Sequence, residues 1–162
     1  MCNQNQKVKI CKGDLIAAAF ADPSINVIVH GCNCFCTMKS GIAAQIVKYF
    51  PSARNADKQT KSGDRTKLGT YSYAVYSISD DINGWRDLRI VNAYTQYAYG
   101  RNKLYFEYSA FEKLVKQFNI DFKGKTVAMP WIGCGLAGGD KAKVLEILNN
   151  NVKDFNCIIF EL

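Results

Sequence analysis

The fold is indicated most clearly by residues 27–43, which read VIVHGCNCFCTMKSGIA. Residues 27–30 form a short apolar run that is typical of a buried strand. A glycine-bearing loop follows from Gly31 to Gly41, and residues 41–50 have the apolar spacing of a helix, with Pro51 as its predicted stop. A strand that passes through such a loop into a helix is the repeating unit of a parallel sheet covered by helices.

The rest of the chain continues this alternation. We predict strands over residues 7–11, 71–78, 88–94, 125–130 and 157–161, and helices over residues 104–118 and 140–150. Asn83 and Gly84 lie between two neighbouring predicted strands and indicate a hairpin. The pattern therefore predicts one α/β domain over residues 1–162 whose core strands are largely parallel, preceded by a flexible tail at residues 1–6.

The composition favours a soluble protein with an anionic partner. The formal charge is +7, which suits nucleic acid or a phosphorylated small molecule. The basic segment 54–67 is either a solvated face or a contact for a nucleic-acid backbone. The seven cysteines are odd in number and follow no secretion signal, so we expect free thiols and a cytoplasmic location. Cys32, Cys34 and Cys36 alternate, which is not the spacing of a zinc site.

Three glycine-bearing loops follow predicted strands, at residues 13–14, 31–41 and 133–139. In open parallel sheets the ligand crevice lies at the carboxyl ends of the strands, so these loops are expected to line one cleft. The second and third loops run into helices, whose free amides and dipole favour an anion. Two such sites suit a diphosphate, although each loop alone is also explained by ordinary turn glycines.

Four short segments resemble the macro domain family in order and spacing: residues 12–15 (KGDL), 28–33 (IVHGCN), 41–43 (GIA) and 130–136 (PWIGCGL). The match spans nearly the whole chain. The resemblance implies a three-layer α/β/α sandwich with a mixed, largely parallel central sheet. Within the family, residues 30–34 and 40–43 are most similar to the branch that dephosphorylates ADP-ribose 1''-phosphate.

The resemblance also implies a set of site residues. His30 and Asn33 are the catalytic candidates. The ligand-binding candidates are Asp14, Leu15, Asn33, Lys39, Ser40, Gly41, Ile42, Ala43, Ile132, Gly133, Cys134, Gly135 and Leu136.

Several of these residues have an alternative interpretation. Asp14 matches the aspartate that accepts from the adenine amino group, but it also suits a helix cap. Asn33 matches the asparagine that holds the distal ribose, or it bonds its own loop. His30 is either a general acid/base or a satisfied core histidine. Lys39 is either a contact for a terminal phosphate or a solvated side chain. Cys134 is interpreted as a loop residue, not a nucleophile.

Two other residues near the loops have both a structural and a functional interpretation. Asp140 suits an N-cap better than a water-positioning group, and Phe160 suits a core position better than an adenine platform.

The implied function is binding of ADP-ribose or ADP-ribose 1''-phosphate, with hydrolysis of the latter and no cofactor or metal. An ADP-ribosyl hydrolase acting on modified protein or nucleic acid, and a reader without catalysis, are the alternatives. A related branch uses a lysine nucleophile and an aspartate where this chain has Gln96 and Ala137. Its covalent chemistry is therefore not expected. We expect a monomer with no membrane contact and no nucleic-acid partner.

Overall fold

A computed structural model of the protein describes residues 7–82 and 84–162. Its strands are β1 (Val8–Lys12), β2 (Val27–Cys32), β3 (Tyr71–Asp80), β4 (Gly84–Tyr94), β5 (Thr126–Met129) and β6 (Asn156–Glu161). Its helices are α1 (Leu15–Ala21), α2 (Gly41–Tyr49), α3 (Pro51–Lys58), α4 (Tyr108–Asp121) and α5 (Lys141–Asn151). A short 3-10 helix spans Arg65–Lys67.

The strands form one sheet in the order β1-β6-β5-β2-β4-β3. Every neighbouring pair is parallel except β3 and β4, which are antiparallel. This arrangement confirms the prediction of a mixed, largely parallel sheet and of a hairpin between the third and fourth strands. Gly84 begins β4 opposite Asp80, while Asn83 and the predicted tail at residues 1–6 lie outside the described residues.

The sheet is buried on both faces, which confirms the three-layer arrangement. One core packs β2 and β5 side chains such as Val29 and Met129 against α4 and α5. The other packs Ile28 and Ile90 against α1, α2 and α3. Successive strand residues point to opposite faces, so a continuous apolar run such as the start of β2 supplies both cores.

Two differences from the predicted helices concern the start of α4 and the role of Pro51. Leu104 has the correct spacing for the apolar stripe of α4, but it is 54% exposed and the helix begins only at Tyr108. The chain before α4 is instead held by Phe106, which pairs with Gln96. Pro51 does not simply stop α2. It is the first residue of α3, where its fixed φ suits a helix and its missing amide leaves no donor unsatisfied.

The cysteine prediction holds only in part. Within the described residues, the thiols of Cys32, Cys34, Cys36, Cys134 and Cys157 are free. Cys11 is disulfide-bonded, contrary to the expectation of free thiols throughout. None of the described helices combines the length and hydropathy that crossing a bilayer would require.

Candidate functional site

A cleft of about 520 Å³ lies at the carboxyl ends of β2, β4 and β5. The structure brings together in its lining ten of the residues predicted from the sequence: Asn33, Lys39, Ser40, Gly41, Ile42, Ala43, Ile132, Gly133, Gly135 and Leu136. Four predicted residues, Asp14, Leu15, His30 and Cys134, lie outside this lining.

The lining also contains residues that sequence reasoning did not assign to the site. They are Gly31, Cys32, Thr37, Met38, Asp57, Gln96, Tyr99, Gly100, Arg101, Pro130, Trp131 and Ala137. Most of them adjoin the predicted loops and were within reach of the same argument. Asp57 and the segment 99–101 come from other parts of the chain, and no local pattern indicated them.

The loop after β2 crosses the middle of the cleft and is held by Asn33. The Asn33 side chain accepts from the Phe35 amide at 2.8 Å and donates to the Thr37 hydroxyl at 2.8 Å. Asn33 therefore bonds its own loop, and it also lines the cleft, while its contact with the distal ribose stays a prediction. The loop takes positive φ at Cys36 (58°) and Met38 (43°), a backbone shape that non-glycine residues adopt rarely.

The N-terminus of α2 opens into the cleft. Ser40 is the N-cap residue, but its side chain makes no cap hydrogen bond within the described structure. Gly41 has φ 57°, and a Cβ at this position would meet no described atom within 4 Å. The free amides and the positive end of the helix dipole therefore face open space, which is the arrangement that binds anions.

The loop after β5 forms the opposite wall. Gly133 has φ 75°, and a Cβ there would collide with the Phe106 ring, so only glycine fits. The Gly139 amide closes the loop on the Gly133 carbonyl at 2.7 Å. Within the described residues, the amides of Gly135 and Leu136 have no hydrogen-bond acceptor, so they are available to a ligand.

Cys134 faces away from the cleft. Its thiol donates to the Ile132 carbonyl at 3.5 Å and packs on the core. Burial raises the pKa of Cys134 to about 11, so the group is a thiol at neutral pH. This agrees with its interpretation as a loop residue, since the thiolate is the nucleophilic form.

The N-terminus of α5 is closed, which corrects the expectation that two helix ends face one diphosphate. The Asp140 carboxylate accepts from the Ala142 amide at 2.8 Å. The Asp140 amide donates to the Tyr108 hydroxyl at 2.9 Å. Asp140 lies outside the cleft lining, so it is the N-cap that the sequence indicated.

Asp14 and Leu15 lie at the β1 end of the sheet, beyond the cleft lining. The Asp14 Oδ1 atom caps α1 by accepting from the Ala17 amide at 2.8 Å. Leu15 is buried in the core, so its side chain is not available to a ligand. Phe160 lies beside Gly13, and a Cβ on that glycine would be 3.9 Å from the Phe160 ring. An adenine role for Asp14 stays a prediction.

His30 is buried in the core below the cleft. Its Nε2 donates to the Asn92 Oδ1 at 2.7 Å, since the Asn92 amide nitrogen donates elsewhere, to the Ala53 carbonyl and the Ser72 hydroxyl. Burial lowers the pKa of His30 to about 4, so the ring is neutral at pH 7. With no exposed surface, His30 fits the core alternative and not the catalytic one.

Asp57 brings a carboxylate to the base of the cleft. The residue is only 1% exposed, yet it is part of the lining. The Asp57 Oδ1 atom accepts a hydrogen bond from the Tyr94 hydroxyl at 2.7 Å. The Ser72 hydroxyl lies 2.8 Å from that Tyr94 hydroxyl. The Lys67 ammonium lies over the Tyr94 ring at 4.6 Å and donates to the Cys34 carbonyl at 3.1 Å. Within the described structure, the Oδ2 atom of Asp57 has no hydrogen-bond donor.

The loop between β4 and α4 forms the rim at the far end. Gln96 pairs with Phe106 at the base of the loop, and the amides of Tyr105 and Phe106 donate to the Ala137 carbonyl at 2.8 and 3.2 Å. The tip, at Tyr99 and Arg101, lines the cleft. Tyr99 is 60% exposed, so this end of the site is open to solvent.

Within residues 7–82 and 84–162, no three side chains of histidine, cysteine, aspartate or glutamate meet as a metal site requires.

Comparison with known proteins places the chain in a family. No protein-family profile matches it. An uncharacterised 17.5 kDa protein from the tk-vs intergenic region of Enterobacteria phage T4 is 39% identical over 160 residues, covering 95% of this chain and 96% of that protein.

Solved structures agree on the fold. A protein of unknown function from Bacteroides thetaiotaomicron superposes with a TM-score of 0.71 at 22% identity, covering 98% of this chain and 99% of that one. The macrodomain of Mycobacterium tuberculosis DarG superposes with a TM-score of 0.67 at 19% identity, covering 98% of this chain and 99% of that one. Thermosipho africanus DarTG in complex with ADP-ribose superposes with a TM-score of 0.69 at 15% identity, covering 98% of this chain and 42% of that chain. The chain therefore belongs to the family of the phage T4 17.5 kDa protein, and it has the macrodomain fold.

Proposed function

We propose that the cleft binds ADP-ribose-type ligands and that the protein hydrolyses ADP-ribose 1''-phosphate to ADP-ribose. The observation that carries the proposal is the uncapped N-terminus of α2, where Gly41 opens onto the cleft opposite the unpaired amides of Gly135 and Leu136. Two sets of free donors across one cleft suit the two phosphates of a diphosphate. The structural neighbour that holds ADP-ribose supports the same ligand.

The sheet order gives the ligand a direction. With the adenine at Asp14 beside β1, the diphosphate lies at the loops after β5 and β2, and the distal ribose points toward β4. The path from β1 to β4 crosses four strand spacings, or roughly 19 Å. We therefore propose that Asn33 holds the distal ribose, since it lies on the loop after β2 and lines the cleft.

Asp57 replaces His30 as the acid/base candidate. Of the described residues that line the cleft, Asp57 is the one carboxylate, and its Oδ2 atom is unpaired. In the proposed reaction, water attacks the phosphorus of the 1''-phosphate while Asp57 accepts a proton from that water. The bond between phosphorus and the ribose oxygen breaks, and the ribose oxygen takes that proton back from Asp57 to become the 1''-hydroxyl of ADP-ribose, which restores the Asp57 carboxylate. Fixed amide dipoles stabilise the charge on the phosphate.

The second candidate is hydrolysis of ADP-ribose from a modified macromolecule, and the open rim at Tyr99 favours it. A covalent lysine mechanism is excluded from this proposal because Gln96 lines the cleft instead. Its amide donates to the Ala98 carbonyl at 2.9 Å and is not a nucleophile. This candidate predicts release of ADP-ribose from the macromolecule and no phosphate release from the small substrate. A reader predicts binding without either reaction.

A pair of matched glycine variants tests the proposal. Gly41→Glu places a carboxylate at the open anion site, whereas Gly124→Glu adds the same group at a positive φ in open space beyond the cleft lining. We expect calorimetry to detect ADP-ribose binding by the wild type and Gly124→Glu, but not by Gly41→Glu. Phosphate release from ADP-ribose 1''-phosphate should follow the same order. A wild type without affinity for ADP-ribose, or a Gly41→Glu variant with full affinity, would refute the proposal.

A further inference from the structure

Two exposed cations, Lys39 and Arg101, line the cleft. In the described part of the chain, neither makes an ion pair, a side-chain hydrogen bond or a ring contact. Some other basic side chains are engaged: Arg86 donates to the Ala19 carbonyl at 2.6 Å, and Arg65 stacks on Tyr97 at 3.9 Å. What distinguishes Lys39 and Arg101 is that both line the cleft, where their charges are available to an anion.

Lys39 and Arg101 come from adjacent loops at one end of the cleft. Lys39 follows β2 and Arg101 follows β4, and these strands are parallel neighbours. The Cys34 amide donates to the Tyr97 carbonyl at 2.9 Å, which joins the two loops. Arg101 thus lies on the side of the cleft farther from β1, beyond the loops proposed for the diphosphate. Lys39 lies on the loop after β2, directly before the N-terminus of α2.

The loop that carries Arg101 is held in place before any ligand binds. Its ends are joined by the pairing of Gln96 with Phe106, and it is tied to the opposite wall through the Ala137 carbonyl. A cation on such a loop loses less conformational freedom on binding than one on a free loop. Contacts at both ends of its loop therefore keep the Arg101 backbone at the cleft.

We propose that Arg101 and Lys39 bind a phosphate group attached beyond the distal ribose, and so select the substrate class. This inference rests on the proposed function and deepens it. Guanidinium groups bind phosphate oxygens through paired, charge-assisted hydrogen bonds. A phosphate at this end is either the 1''-phosphate of a small molecule or the phosphate of an ADP-ribosylated oligonucleotide. An ADP-ribosyl ester of a carboxylate has no charge at this point, so the pair does not favour it.

The test compares Arg101→Gln with Lys103→Gln. Lys103 is an exposed cation two residues away on the same loop, outside the cleft lining, with its ammonium 5.1 Å from the centre of the Tyr105 ring. We expect Arg101→Gln to raise the KM for ADP-ribose 1''-phosphate about tenfold, the value of one good charged contact. The calorimetric Kd for ADP-ribose, which lacks that phosphate, should change less than about twofold, and Lys103→Gln should change neither.

The same variants distinguish the two sources of phosphate. If the small molecule is the substrate, the KM for ADP-ribose 1''-phosphate shows the tenfold difference. If an oligonucleotide is the substrate, the tenfold difference appears instead in the KM for release of ADP-ribose from an oligonucleotide ADP-ribosylated at its terminal phosphate. Equal loss of affinity for ADP-ribose and its 1''-phosphate would overturn the inference, because Arg101 would then contact the nucleotide or support the loop.

A measurement without nucleotide separates this inference from the proposed function. Inorganic phosphate should shift the NMR resonance of the Arg101 side-chain Nε–H, with the other arginines as internal references, and Lys39→Gln should reduce the shift. If the wild type binds no ADP-ribose, the proposed function is wrong. The phosphate titration still tests whether Arg101 and Lys39 bind an anion. No shift at Arg101 overturns the site, while a shift that depends on Lys39 supports it.

Discussion

The N-termini of α2 and α5 have equivalent positions in the fold, but α5 is capped by a side chain and α2 is not. Each follows a strand and a glycine-bearing loop at the carboxyl edge of the sheet. At α5 the Asp140 carboxylate occupies the first amides, whereas at α2 the Ser40 side chain leaves them open. The difference teaches that glycine before a helix does not by itself make an anion site. The residue at the N-cap decides whether the helix binds its own side chain or a ligand.

The same contrast separates two of the buried titratable groups near the cleft, His30 and Asp57. His30 is closed, because its Nε2 is bonded to Asn92 and the ring has no exposed surface. Asp57 is open, because one carboxylate oxygen accepts from Tyr94 and the other has no hydrogen-bond donor among the described residues at the cleft. Groups that the protein satisfies internally contribute to stability, and groups that it leaves unpaired are available for function.

Closing the α2 terminus should have the largest effect on ligand binding. Ser40→Asp gives α2 the cap that α5 already has, so a carboxylate takes the amides proposed for the diphosphate. Repulsion between unit charges about 4 Å apart near a protein surface is about 4 kcal/mol, so ADP-ribose affinity should fall about a thousandfold. Calorimetry measures the loss. Ser40→Asn, which caps without charge, should lose less, and unchanged affinity in Ser40→Asp would show that the ligand does not use this terminus.

The closed histidine should make folding sensitive to mild acid. Because the pKa of His30 falls from 6.5 to about 4 on folding, the unfolded chain binds the proton more readily. The contribution of His30 to the free energy of unfolding is therefore fully present above pH 6.5. It is lost as the pH falls toward 4, by about 3 kcal/mol in total. Urea unfolding at pH 7, 5.5 and 4.5 measures this loss.

The control for this pH dependence is His30→Gln, which should flatten the slope in that window. His30 is the only histidine in the sequence. Glu161 acts in the same direction, since hydrogen bonding to Trp131 lowers its pKa, but only below its ordinary value of 4.5. A slope that persists between pH 6.5 and 5 in His30→Gln would contradict the buried, neutral histidine.

The open carboxylate should matter for turnover. Asp57→Asn keeps an oxygen for the Tyr94 hydroxyl but cannot accept a proton from water, so phosphate release should slow about a hundredfold, as for loss of a general base. The affinity for ADP-ribose should change much less. The matched control is Asp154→Asn, which removes an exposed carboxylate at the opposite edge of the sheet, beside Gly124. A normal rate in Asp57→Asn would leave the carboxylate with only a structural role.

The sheet and the three loops could be predicted because their signals are local. Apolar runs such as residues 27–30 identify buried strands, and parallel order then places the following loops at one edge. The same reasoning could not distinguish the cleft from the core at His30, because a central strand is buried on both faces. The pairing of His30 with Asn92 comes from a neighbouring strand distant in the chain.

The missed residues lie where tertiary packing overrides the local pattern. Asp57 belongs to a polar segment that resembles a solvated face, and it is buried only because α3 packs on β3 and β4. Arg101 precedes a stretch whose apolar spacing indicates a helix from Leu104. The pairing of Gln96 with Phe106 instead keeps residues 97–105 as a loop over the cleft.

Opening the α5 terminus should have the smallest effect and should act on stability alone. Asp140→Ala removes the cap on the Ala142 amide, which typically costs about 1 kcal/mol of unfolding free energy. ADP-ribose affinity and phosphate release should not change, since Asp140 lies outside the cleft lining and its amide is held by Tyr108. Urea unfolding and calorimetry on one preparation compare the two effects. A loss of turnover with normal stability would instead assign Asp140 to water positioning, and the two helix ends would no longer divide into one for folding and one for binding.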